Sequence, residues 1–446
     1  MYISFSDRSR RSDPSGSPAP SDRTGAKVSS VVIALGVVSL LTDISSESVA
    51  AILPLYLTSV LGLSTVAYGF IDGLYQGVSA VVRIAGGYAA DRTQQPKWVA
   101  FAGYALSAFA RIGFLVGSGF GVIATVVSVD RLGKGLRTAP RDALITASSR
   151  PEDLGRSFGT HRMLDTIGAM VGPLLAFLVL FFIPSGYATV FVLSLACAFL
   201  GLAVLGLLVP NTGRPPRATR RGSPAMMPQP NGTLAAPRPP FRWRHLADRR
   251  LRRLLAVAGV FGLLTVGDGF IYLVLQARSD FAAMWFPLLY VGTNLAFLLC
   301  AVPLGRLADR FGRLRVFVIG HGALLAAYIC AALPATGVTA TIACLLLLGV
   351  FYAASDGVLA ALAAQYTPAG STASGIAAAQ TVVALARLVA STGFGLLWFT
   401  LGPQTAMIIV AGALALAIPT AMLLLRVQFA GPRPDAPPPA STDAAA

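Results

Sequence analysis

Six charges fall within thirteen residues of a chain that is otherwise mostly hydrocarbon, and this run limits what the chain can become. It reads Asp130-Arg-Leu-Gly-Lys-Gly-Leu-Arg-Thr-Ala-Pro-Arg-Asp142 and follows the apolar residues 122–129. Written on a helix, Asp130, Lys134, Arg137 and Arg141 recur at steps of four, three and four and form one stripe. Arg131 and Asp142 lie close together on a neighbouring face. A charge on a membrane helix costs several kcal/mol if it faces lipid, so each must face a partner or water. If the run crosses a membrane, the rest of the protein must wrap a polar interior.

Composition places the chain in a membrane. It has 446 residues, of which 55% are hydrophobic and only 12% charged, with a mean hydropathy of +0.69. A soluble domain carries about 25% charged residues. Apolar segments of roughly 20 residues recur along nearly the whole length, which predicts many spanning helices. The alternating pattern of a β-barrel is absent. The net charge of +16 would suggest nucleic acid in a soluble protein. Here the excess sits in the segments between apolar runs, so it reports orientation in a lipid bilayer and no nucleic-acid partner is expected. Cys197, Cys300, Cys330 and Cys344 all lie inside apolar runs without paired spacing, and read as small core residues. With three histidines and no His/Cys/Asp cluster at ligand spacing, neither a metal nor a cofactor is expected.

The hydropathy pattern predicts an all-α membrane protein with twelve transmembrane helices. They fall near 29–58, 67–91, 97–117, 121–148, 156–183, 187–210, 251–278, 282–307, 314–333, 338–366, 372–400 and 403–426. This gives a six-helix bundle over 29–210, a linker over 211–250 and a second six-helix bundle over 251–426. Polar tails are expected over 1–28 and 427–446, without a secretory cleavage site. The linker is rich in Pro and Arg, with at most a short surface helix near 241–250. Residues 211–253 hold eleven arginines and one aspartate, whereas the opposite set of connections carries only Arg278 and Asp280. Both tails and the linker are therefore expected in the cytoplasm.

An internal repeat supports the count. Gly87-Tyr-Ala-Ala-Asp91-Arg92 ends the second helix, and Gly305-Arg-Leu-Ala-Asp309-Arg310-Phe-Gly312-Arg313 ends the eighth, 218 residues later. Both copies should face the same side, so an even number of crossings must separate them. Counting 130–142 as membrane helix gives six, and omitting it gives five. Glycine at such a helix end permits close approach of a neighbour, Asp can meet that neighbour's N-terminal dipole, and Arg anchors at headgroups.

At these residues the chain resembles the major facilitator superfamily. The resemblance covers nearly all of 29–426, with six plus six helices, a long central linker and Gly-x-x-x-Asp-Arg loops after helices two and eight. Arg131-x-Gly133-x-Gly135 in helix four is similar to that family's Arg-and-Gly motif, with altered spacing. Gly168-Ala-Met-Val-Gly172-Pro173 in helix five is similar to the Gly-Pro motif of its drug/proton antiporter branch, without the full glycine pattern. The first loop departs from the family pattern, with Thr93-Gln-Gln-Pro96 where Gly-Arg would stand. Thr42-Asp43-Ile-Ser-Ser-Glu47 and residues 133–144 are similar to a bacterial branch of the superfamily. The resemblance implies a multi-pass protein of a bacterial cytoplasmic membrane, acting as a monomer.

Candidate transport residues follow from charge within helices. Asp43 and Glu47 share one face of helix one, and two carboxylates so close in a poorly polar medium cannot both ionise cheaply. One of them is expected to carry protons, with Arg131 as counter-charge. Asp72, with Gln76 on the same face, can line the cavity, as can Asp268, Asp356 and Arg387 in the second half. Glycines on both sides of Asp268 suggest a local distortion of helix seven. His161, Arg162 and Asp165 read as a gate network, beside the gate residues Gly87, Asp91, Arg92, Gly305, Asp309, Arg310 and Arg313. Eight acids and eight bases in the named helix interiors balance, giving no preference for cargo sign. Tyr56, Tyr75, Phe270, Tyr272, Trp285, Tyr290, Phe351, Tyr352 and Trp398 can each line an amphipathic pocket or simply pack.

These readings converge on a transporter, not an enzyme, working by alternating access with a small-molecule substrate and protons as partners. Proton-coupled efflux of an amphipathic organic solute is the expected activity. An uptake symporter, a passive facilitator and a lipid-modifying enzyme are the alternatives, and the last finds no nucleophile constellation in the sequence.

Overall fold

In the computed structural model, the described residues are 28–93, 95–211, 248–333, 337–367 and 372–429. Most of the predicted tails and linker lie outside them, with residues 241–247 of the short surface helix expected near 241–250. The described chain is helical with no strand, and twelve long helices follow in order. They are α1 (Ser30–Val60, its last turn widened to a π-turn), α2 (Thr65–Thr93), α3 (Pro96–Val116), α4 (Phe120–Ala147), α5 (Leu154–Phe182) and α6 (Tyr187–Leu208). Across the linker come α7 (Arg249–Ser279), α8 (Phe286–Phe311), α9 (Arg313–Ala332), α10 (Val338–Gln365), α11 (Thr372–Leu401) and α12 (Pro403–Phe429). With an even number of crossings per half, residues 30, 208, 249 and 429 share one face, called here the termini side.

Ten of these helices are long and apolar enough to cross a membrane on composition alone. The other two are α2 and α4, which carry the charges. At 28 residues α4 is about 42 Å long, enough to span the hydrocarbon core. It avoids lipid by packing against both α2 and α3. Glycines make this possible. A Cβ on Gly133 would lie 2.5 Å from the Gly103 carbonyl of α3, and one on Gly135 would lie 2.8 Å from the Ser79 carbonyl of α2. The motif read from sequence as a family signature is thus a backbone-to-backbone seam. Large apolar side chains cover the outside instead, Leu207, Phe182 and Leu423 among the most exposed.

Turns between helices are as short as one residue. Gly312 (φ 100°) reverses α8 into α9, and Gly402 (φ 82°) reverses α11 into α12. Both occupy the region that L-residues other than Gly avoid.

The halves meet along α2 and α11 and, more lightly, along α5 and α8. The α2–α11 seam is tightest away from the termini. A Cβ on Gly73 would lie 2.7 Å from the Leu388 carbonyl, while Gly69 and Gly395 would strike the Ser391 and Thr65 carbonyls. The rings of Phe177 of α5 and Trp285 before α8 meet at a tilt, centroids 5.4 Å apart, on that same far side. On the termini side Gly155 and Gly159 of α5, Gly305 of α8 and Gly357 of α10 have no heavy atom near a built Cβ. The molecule is closed on the far side and open on the termini side.

Helix α7 is broken at 264–267 into Arg249–Leu263 and Asp268–Ser279. The break leaves backbone groups without helical partners, and one hydroxyl supplies two of them. Tyr328 Oη of α9 accepts from the Val266 N–H (2.8 Å) and donates to the Leu264 carbonyl (2.9 Å). Tyr328→Phe strands both groups in a dry interior, at about 1–3 kcal/mol. The expected outcome is a lower unfolding temperature of the detergent-solubilised protein, with secondary structure by circular dichroism unchanged.

Candidate functional site

Two polar systems occupy the interior, and they have different characters. The first is a sealed charge knot in the N-terminal bundle. Asp130 of α4 is held by Arg111 of α3 (Nη2 to Oδ1, 3.0 Å) and by its own neighbour Arg131 (Nη2 to Oδ2, 2.6 Å). Arg131 stacks on the Tyr75 ring of α2, 3.7 Å from its centroid, and Arg137 stacks on Tyr104 of α3 at 4.3 Å. Arg111 and Arg131 are each only 3% exposed. Asp130 and Arg137 face α3, whereas Lys134 reaches Glu47 of α1 (3.9 Å) and Arg141 reaches Asp165 of α5 (3.9 Å). The single stripe expected from sequence therefore divides into two, one facing α3 and the other reaching α1 and α5. Residues seven apart share a bearing to within about 20°, and those four apart diverge by about 40°.

Two expectations are corrected here. Arg131 makes no ion pair with Asp43 or Glu47 among the described residues, because its guanidinium lies on Asp130 and the Tyr75 ring. Nor do Asp43 and Glu47 form the close carboxyl pair. Glu47 turns to Lys134, and Asp43 sits against α5. Glycine is the cause, since Gly168 lets α5 press against α1 until a built Cβ would lie 3.2 Å from Asp43 Cβ.

The second system is a cavity of about 440 Å³ between the two bundles. Glu47, Asp72, Tyr68, Tyr75, Gln76 and Arg162 line it from the N-terminal half. Asp268, Tyr272, Tyr290, Thr293, Asn294, Tyr352, Asp356 and Arg387 line it from the C-terminal half. Of the seven cavity candidates read from sequence, Glu47, Asp72, Asp268, Asp356 and Arg387 reach it, and Asp43 and Arg131 do not. Asp268 opens the second segment of α7, where the helix dipole favours a carboxylate, and accepts from Tyr352 Oη (2.7 Å). Asp72 bridges the bundles by accepting from Ser391 Oγ of α11 at 2.5 Å, and a Cβ built on Gly267 at the α7 break would strike its carboxylate. Arg387 lies 4.0 Å from Asp356. Tyr75 Oη and Arg387 Nε are buried without a hydrogen-bond partner among the described residues, which leaves them for a guest.

Four carboxylates against two guanidiniums make this wall acid-rich, unlike the balanced count over whole helices. Sequence gave no sign of this, because most bases of that count are spent in the sealed knot. Of the aromatic candidates, Tyr75, Tyr272, Tyr290 and Tyr352 line the cavity, whereas Tyr56, Phe270, Trp285, Phe351 and Trp398 pack elsewhere. Tyr68 and Asn294 were missed, and only their position on the same helix faces as Asp72 and Tyr290 could have drawn notice.

The gate candidates are loosely engaged on the open side. Arg162 pairs with Asp165 (3.0 Å) yet stays 74% exposed, and it lines the cavity mouth. Asp309 pairs with Arg313 (2.8 Å) at the surface, Arg310 lies over Phe311, and Arg92 is exposed beside Tyr88. The Asp91 side chain lies outside the described residues. The helix-contacting glycine of the first copy is Gly86, whose built Cβ would lie 2.5 Å from the Leu136 carbonyl; Gly87 only touches Ala139. A Cβ built on Gly305 would meet no heavy atom within 4 Å among the described residues.

Twelve spans with a polar cavity between two bundles define a membrane transporter, and comparison with known proteins agrees. The Major Facilitator Superfamily model matches residues 35–293 and 278–446. An uncharacterized MFS-type transporter of Methanocaldococcus jannaschii is 28% identical over 304 residues, covering 66% of this chain and 70% of that one. An uncharacterized protein of Mycobacterium tuberculosis is 29% identical over 287 residues, covering 63% and 66%. Among solved structures, a mutant of the nucleoside transporter NupG superposes with a TM-score of 0.73 at 14% identity, over 88% of this chain and 99% of that one. A mutant of the peptide transporter POT gives 0.73 at 15%, over 90% and 94%. The chain belongs to the major facilitator superfamily. It is an integral, multi-pass secondary transporter and not an enzyme.

Asp130→Leu leaves two buried guanidiniums without their carboxylate, at about 3–5 kcal/mol. The expected outcome is loss of monodisperse protein on detergent extraction. Asp309→Asn, which breaks an exposed pair worth at most about 1 kcal/mol, is expected to behave as wild type.

Proposed function

We propose that this transporter exports a small amphipathic organic solute, in exchange for protons, across a bacterial cytoplasmic membrane. The reading is carried by the cavity wall. Glu47, Asp72, Asp268 and Asp356 attract a positive group, while five tyrosine rings (68, 75, 272, 290 and 352) offer apolar faces and hydroxyl edges. A cargo with a cationic centre and a flat or bulky apolar part meets both. The arginine excess in the segments on the termini side supports placing that side in the cytoplasm, so the open mouth receives cargo from within the cell. The Gly-Pro run of α5 supports the antiporter branch by resemblance alone. Without a nucleotide-binding motif in the sequence, a proton gradient is the simplest driving force.

Cargo entering this cavity meets Asp72, which also holds Ser391 across the far-side seam. A cation that takes over this carboxylate weakens the link between α2 and α11, and so favours opening away from the cytoplasm. Rocking of the bundles then exposes the same wall to the other side.

The test uses everted membrane vesicles and radiolabelled organic cations, beginning with tetraphenylphosphonium. An inside-acid gradient is expected to drive accumulation, and Asp268→Asn to cut its initial rate about tenfold or more, as for one lost charge-assisted contact. Accumulation driven only in right-side-out vesicles, by outside acid, would make the protein an uptake symporter. Uptake that ignores the gradient would make it a facilitator.

A further inference from the structure

We infer that the cargo is a zwitterion, its carboxylate held by the Arg387 guanidinium of α11 while its cationic centre meets the acids of the cavity wall. The inference rests on the cavity reading proposed above and narrows the cargo from an organic cation to one that also carries a fixed negative charge.

Arg387 is the odd member of an acid-rich wall. Of the two guanidiniums that line the cavity, Arg162 is engaged by Asp165 at 3.0 Å. Arg387 Nη2 lies 4.0 Å from Asp356, beyond hydrogen-bonding distance, and its Nε is buried without a partner among the described residues. Elsewhere in the protein the Nε and Nη2 edge of an arginine is spent on a carboxylate. Arg131 places both atoms on Asp130 (3.0 and 2.6 Å), Arg141 on Asp142 (3.1 and 3.0 Å) and Arg313 on Asp309 (3.0 and 2.8 Å). Arg387 holds the same edge at the cavity with no acid in hydrogen-bonding distance. A wall built for plain cations gains nothing from this group, which repels them, and a buried N–H left unbonded costs stability. A guest carboxylate matches the edge with two charge-assisted hydrogen bonds.

The neighbours of Arg387 fix where the positive end of such a cargo falls. Tyr352 Oη donates to Asp268 (2.7 Å), and Arg387 Cζ lies 5.8 Å from the centroid of the same ring, so opposite charges flank one tyrosine. On α11, Arg387 and Ser391 are four residues apart on one face, a rise of about 6 Å. Ser391 Oγ in turn reaches Asp72 of α2. A carboxylate seated on Arg387 therefore sets a cationic centre several ångströms away between Asp268 and Asp72. Cargo lacking the carboxylate leaves the guanidinium unbonded, which makes Arg387 the residue that sets specificity.

The experiment measures binding of two dyes, tetramethylrhodamine and its methyl ester, to the full-length protein in lipid nanodiscs by fluorescence anisotropy, with empty nanodiscs subtracted. The dyes share a flat body and a delocalised positive charge, and differ in whether the carboxylate is free or esterified. Wild type is expected to bind the free acid about tenfold or more tighter than the ester, as for one charge-assisted contact. Arg387→Gln should bring the ratio of the two affinities to about one. Arg387→Lys, which keeps the charge without the fork, should restore part of the ratio and thereby separate loss of the contact from misfolding. Asp268→Asn should weaken both dyes and preserve the ratio. A wild-type ratio of one or below, or a ratio that survives in Arg387→Gln, overturns the inference and leaves the organic-cation reading standing. Binding of neither dye overturns both.

Discussion

Charge cannot be left facing hydrocarbon, and most of the N-terminal bundle answers to that constraint. Five basic and two acidic side chains of α3 and α4 sit at membrane depth, at Arg111, Asp130, Arg131, Lys134, Arg137, Arg141 and Asp142. Asp130 takes Arg111 and Arg131, Arg131 and Arg137 lie on tyrosine rings, Lys134 and Arg141 reach acids on α1 and α5, and Asp142 pairs with Arg141. Such pairing brings α4 close against α2 and α3, where glycines on both sides permit it, and within side-chain reach of α1 and α5. The bundle's geometry is therefore set by where charge must go. Apolar packing fills the remainder.

The C-terminal half solves a different problem. It carries few charges, and three of them, Asp268, Asp356 and Arg387, reach the cavity. Its distinctive device is the break in α7, stitched by Tyr328, which brings a helix N-terminus and Asp268 to the wall. One half is thus a charged frame that lines part of the cavity, and the other supplies the rest of the recognition surface. Asp72, bonded to Ser391, is where the frame touches that surface.

Much of the fold was legible in sequence. Hydropathy located twelve helices to within a few residues, and the paired Gly-x-x-x-Asp-Arg loops identified α4 as a crossing helix despite its charge. The site was harder to read. Helical periodicity shows which residues share a face but not which helix that face meets. Helical spacing therefore matches Asp43 with Glu47, its neighbour along the chain, whereas Glu47 reaches Lys134 on α4 and Asp43 sits against α5 across a glycine seam. Arg131 was assigned to the cavity because an intramembrane arginine needs an acid, and the acid beside it in sequence, Asp130, was overlooked. The acid excess of the cavity was invisible for the same reason, since only packing separates charges spent in the frame from those left free.

An alternating polar cavity is tested most directly by thiol accessibility at its wall. With Cys197, Cys300, Cys330 and Cys344 replaced, a single cysteine at Thr293 can be exposed to a membrane-impermeant maleimide in right-side-out and in everted vesicles. A wall that is presented in turn to both compartments predicts labelling from both sides, faster from the termini side in the resting protein. Labelling from one side alone under every gradient, or from neither, would contradict it.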